Sequence, residues 1–93
     1  MDLNLPIDEL LAEADAWVHK RQWRVAGRLL SALLEASSGT EHHALQAEIL
    51  TRLGLIHREL GSQDQALAAF LLAHQLQPSD LLKEYIAQQQ SGP

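Results

Sequence analysis

The chain has 93 residues, a formal net charge of −5 and no cysteine. That length suits one domain with a modest core. The charge opposes the basic footprint that nucleic-acid binding requires, and without cysteine neither disulfides nor thiolate chemistry is open to the protein. No apolar run nears the length of a bilayer span. Met1-Asp2-Leu3-Asn4 lacks the basic-then-apolar pattern of a secretory signal, so a cytoplasmic protein is the expectation. Apolar residues make up 46% of the chain, yet the aromatics are only Trp17, Trp23, Phe70 and Tyr85. Leucine and alanine dominate, both good helix formers, and no stretch alternates Val, Ile or Thr with period two. The expected fold is all-α.

Punctuation divides the chain into five helical segments. Asn4, Leu5 and Pro6 open the first, and Leu10, Ala14, Trp17 and Val18 recur at helical spacing to about Lys20. The second, from about Gln22 to Ala36, carries Val25, Ala26, Leu29, Leu30, Leu33 and Leu34 on a wide apolar face. Ser37-Ser38-Gly39 ends it, with Thr40 and Glu41 placed to cap the next. The third, about Glu41 to Leu60, aligns Leu45, Ile49, Leu53, Ile56 and Leu60, and Gly61 follows as a left-handed C-terminal cap. Ser62-Gln63-Asp64-Gln65 has capping-box spacing and starts a fourth helix that runs from Ala66 to about Leu76, where Pro78 blocks extension. Ser79-Asp80 caps a fifth with a stripe of Leu81, Leu82, Tyr85 and Ile86. The run Gln88-Gln89-Gln90 and the tail Ser91-Gly92-Pro93 are expected to fray.

Segments three and four form a unit of 34 residues, Ala47 to Asp80. Leu50, Leu53, Gly54 and His57 precede Ala66, Phe70, Ala73 and Pro78. This resembles the tetratricopeptide repeat: a large apolar residue, then Leu-Gly, an aromatic, Ala, an aromatic, Ala and a closing Pro. His57 departs from it where the family usually has Tyr, and Gln63 replaces another common aromatic. The frame fits Ile7 to Thr40 more loosely, through Leu10, Ala14, Trp17, Trp23, Ala26, Leu30 and Leu33. There Ala14 stands for the glycine, Glu13 for the preceding leucine, and no proline closes the unit. Small residues at Gly54 and Ala66 suit a close helix crossing, with Phe70 wedged into it. The resemblance implies antiparallel helix pairs stacked as a short right-handed α-solenoid, with repeats at about 7–40 and 47–80 and a terminal helix at about 80–90.

The resemblance also implies a concave face lined by the first helix of each pair. It would present Asp8, Leu11, Asp15 and Val18, then Glu48, Thr51, Leu55 and Arg58. Apolar spots rimmed by charge suit an amphipathic helix or extended peptide of a protein partner, although Leu11 and Val18 read equally as core residues. The cationic clamp with which some family members grip acidic chaperone tails is missing. Its places hold Leu11, Asp15, Thr51, Arg52 and Leu55, of which only Arg52 is cationic.

The fourth helix is unusual. Ala68, Leu71 and Leu72 occupy places that the family fills with polar residues, which leaves the run Ala66 to Ala73 apolar all round. Either the fifth helix covers Leu71 and Leu72, or they belong to a partner or homodimer surface. The cluster Lys20, Arg21, Arg24 and Arg28 reads as a solvated face. Chemistry is not expected. His42 and His43 are adjacent and point apart, while His19, His57 and His74 lack a partner at metal-ligand spacing; His57 and His74 read as packed residues. There is no phosphate loop and no nucleophile motif, so no catalytic residue, cofactor or metal is expected. The sequence thus reads as a protein-interaction module, an adaptor or assembly chaperone, with a structural subunit of a larger complex as the alternative.

Overall fold

The computed structural model describes residues 7–37 and 42–91. Within them the chain forms α1 (Ile7–His19), α2 (Trp23–Ser37), α3 (His43–Glu59), α4 (Gln63–Leu76) and α5 (Asp80–Ser91), and no strand. The fold class is all-α, and the helix ends lie within a few residues of where the punctuation puts them. Thr40 and Glu41, expected to cap α3, lie outside the described residues.

Two turns share one geometry. After α3, Gly61 takes φ +81°, its N–H donates to the Arg58 carbonyl at 3.1 Å, and the Ser62 N–H donates to the His57 carbonyl at 2.8 Å. This pair of bonds satisfies carbonyls that the ending helix would leave open. After α1, Arg21 takes φ +60°. Its N–H donates to the Val18 carbonyl and that of Gln22 to the Trp17 carbonyl, both at 2.9 Å. Positions 21 and 61 thus close the two helix pairs in the same way, one with arginine and one with glycine.

The remaining ends are instructive where they depart from expectation. Ser62 precedes α4 but makes no side-chain cap bond. Its ψ of 74° falls well short of the extended value at which a cap hydroxyl faces the helix's first N–H groups. Gln77 is extended, at φ −149° and ψ 97°, as a residue before proline must be, and α4 stops there. Ser79 immediately precedes α5, with its Oγ accepting a long 3.4 Å bond from the Leu82 N–H, while its own N–H donates to His74 Nδ1 at 3.1 Å. The glutamine run expected to fray stays helical as far as Ser91, whose hydroxyl donates to the Ala87 carbonyl.

Each helix packs mainly on its neighbours in the chain, most extensively α3 on α4. The shortest dimension of the molecule, 18 Å, is that of two helix layers. The core falls into two clusters. Leu11, Ala14, Ala26, Leu30, Leu33, Ile49, Leu53 and Ile56 join α1, α2 and α3. Ala47, Leu50, Ala66, Phe70, Ala73 and Leu82 join α3, α4 and α5. The tight crossing of α3 and α4 is explicit: a Cβ on Gly54 would lie 2.5 Å from the ring of Phe70. Phe70 is fully buried and stacks on Tyr85, ring centroids 5.2 Å apart, so α5 closes the end of the second cluster.

Candidate interaction surfaces

Of the residues expected on a concave face, one is core and the others divide between polar contacts and two hollows. Leu11 is the clearest correction: it is 7% exposed and belongs to the first core cluster. It shares a helix face with Ala14 and Val18, three and seven residues on, and that face packs inward. Asp15 is engaged by Arg52, with Nε 3.0 Å from Oδ1 and Nη2 3.4 Å from Oδ2. The same guanidinium donates to the Glu48 carbonyl at 3.3 Å. The Thr51 hydroxyl donates to the Ala47 carbonyl at 2.7 Å, within its own helix. The Arg58 guanidinium lies over the Tyr85 ring, 5.6 Å from its centroid.

Val18, Leu55 and Arg58 do come together, lining a hollow of about 400 Å³ with Trp23. Glu48, Thr51 and Arg52 line a different hollow, of about 250 Å³, beside the start of α5 at Leu81 and Leu82. Asp15 and Arg52 thus neutralise each other, and Arg58 is held against an aromatic ring. What remains for a partner in this region is mainly the half-buried apolar surface of Val18 and Leu55.

The α4 stripe is different. Ala68, Leu71, Leu72 and Gln75 share one face and all four are exposed, Leu71 by 46% and Leu72 by 51%. The opposite face, with Ala66, Ala69, Phe70 and Ala73, is buried. The fifth helix does not cover the stripe; its inward residues Leu82 and Tyr85 go to the second cluster instead. Positions 40 earlier, on α2, hold Arg28, Ser31, Ala32 and Glu35. The α4 stripe thus carries two leucines where the positions 40 earlier carry a serine and an alanine flanked by charge.

One feature was not read from the sequence. A groove of about 420 Å³ runs between α2 and α3, with Arg24, Gly27 and Arg28 on one wall and Leu53, Ile56 and Leu60 on the other. Its sequence signal was Gly27, a glycine in the middle of a helix with no turn to make. Among the described residues no group of three or more His, Asp or Glu side chains is placed to hold a metal, and no helix is long and apolar enough to cross a membrane. Comparison with protein-family models, curated proteins and solved structures finds no match.

Proposed function

We propose that the chain is a protein-binding module, an adaptor or assembly chaperone made of two tetratricopeptide-like helix pairs and a closing helix, with no catalytic role. The observation that carries this reading is the outward stripe of α4. Leu71 and Leu72 are each about half in water, where the positions 40 earlier on α2 carry Ser31 and Ala32. Covering both leucines removes about one full leucine side chain from water, worth roughly 1.5–3 kcal/mol. The Val18 and Leu55 hollow is a second apolar place for a partner segment.

The alternative, a homo-oligomer or structural subunit with these leucines permanently covered, rests on the same stripe. Magnitudes favour the first reading. Two copies pairing their stripes would gain roughly 3–6 kcal/mol, at the low end of the ~4–15 kcal/mol that association costs in lost freedom. A stable complex needs a partner that reaches beyond the stripe.

Light scattering of the purified chain across a concentration series, with Leu71→Glu alongside, separates the two. The adaptor reading expects a mass near 10.3 kDa at every concentration and a variant as well folded as the parent. A concentration-dependent dimer that Leu71→Glu abolishes would establish the alternative. Should Leu71→Glu unfold, the stripe is structural and both readings lose their main support.

A further inference from the structure

The groove between α2 and α3 contains a residue that the packing of the fold does not require. Gly27 stands inside α2, where glycine is among the poorest helix formers. Its φ is not in the left-handed region, and a Cβ there would meet only Ile56 Cγ2 at 3.9 Å, an ordinary contact. Gly54 is the contrast, since Phe70 forbids it any side chain. At position 27 the missing side chain instead leaves the groove open down to the helix backbone, the situation in which glycine admits a closely approaching ligand.

The groove's chemistry says what kind. Leu53 and Ile56 form a buried apolar floor, and Leu60 at its end is 41% exposed. Arg24 and Arg28 stand exposed on the rim, and neither takes part in an ion pair among the described residues. They lie one helical turn apart, about 6 Å. Glu35, the groove's carboxylate, stands two turns further on, about 10 Å along the axis from Arg28.

We propose that this groove docks an acidic amphipathic helix of a partner protein. Its apolar side chains would lie on Trp23, Ala32 and Leu60, whose surfaces reach the groove above the buried Leu53 and Ile56, and its backbone close to Gly27. Two carboxylates at i, i+4 would face Arg24 and Arg28, because that spacing on a helix matches the spacing of positions 24 and 28 on α2. The apolar floor favours a protein segment over nucleic acid, whose phosphate backbone has nothing to place there, as does the chain's net charge of −5. The site is separate from the α4 stripe and stands or falls independently of it.

The test uses the whole chain and a fluorescent helical peptide of roughly 15 residues, with leucines at heptad spacing flanked by glutamates at i, i+4. Its twin carries lysine for each glutamate. Fluorescence anisotropy should give saturable binding of the acidic peptide, weakened by salt, and at least about tenfold weaker binding of the twin. Gly27→Leu fills the groove with a better helix former. It should keep the circular dichroism and melting temperature while lowering affinity by a similar factor. Arg24→Glu with Arg28→Glu, both exposed, should abolish binding of the acidic peptide and create binding of the twin; Leu71→Glu should change nothing. Absence of saturable binding would overturn the proposal. So would loss on charge reversal without loss on Gly27→Leu, which would mean surface charge alone, or a single-stranded oligonucleotide that binds more tightly than the peptide.

Discussion

Arg21 and Gly61 make the same left-handed turn, but only glycine does so without a steric penalty from its Cβ. Arg21→Gly should therefore stabilise the chain by about 1 kcal/mol and Gly61→Ala should destabilise it by a similar amount. In a domain of this size each shift is several degrees in melting temperature, readable by thermal denaturation. A second pair of matched positions tests packing. Where α3 and α4 put Gly54 beneath Phe70, α1 and α2 put Ala14 and Leu30, all of them buried. Gly54→Ala alone drives a methyl group into the ring and should cost about 1–3 kcal/mol. Phe70→Leu alone also destabilises, through the space it vacates. The double variant, which copies the first pair, should lose less than the sum of the two. Urea denaturation of the four proteins measures the interaction, and strict additivity would show that the two crossings are not equivalent.

Among the described residues, α1 reaches past α2 to α3 through the polar link of Asp15 to Arg52. Both side chains keep some exposure, 47% and 26%, so the pair is worth little despite its two-point geometry. A double-mutant cycle to alanine should give a coupling of about 0.2–1 kcal/mol, reduced in high salt. Most element ends were legible in the sequence because their signals are covalent: Pro78 forbids continuation, and Gly61 is the residue that a left-handed cap favours. The Ser62 cap was misread because hydroxyl capping depends on a ψ value that residue type does not fix. Leu11 was left open between surface and core for a geometric reason. Each residue turns a helix by about 100°, so a small error in face is enough to exchange core for surface. The exposure of Leu71 and Leu72 was legible only as a choice, because the sequence shows an apolar helix all round and not which neighbour covers which side.

At the scale of the whole molecule, α3 is the helix common to both core clusters. Ile49, Leu53 and Ile56 serve the first, Ala47 and Leu50 the second. The groove with α2 was not legible because it belongs to no single helix; its floor and its arginines come from segments that meet only on folding. It also lies on the first half of the molecule, whereas the α4 stripe lies on the second. If both surfaces are occupied, whatever one occupant does to the other must pass largely along α3, by fixing or loosening the helix on which the two half-cores lean. Thermodynamic linkage makes that influence reciprocal: an occupant of the groove that tightens α3 would strengthen binding at α4 by the same factor by which an occupant at α4 strengthens binding in the groove. In a protein only two helix layers thick, the middle helix is the element through which two such binding events would be coupled.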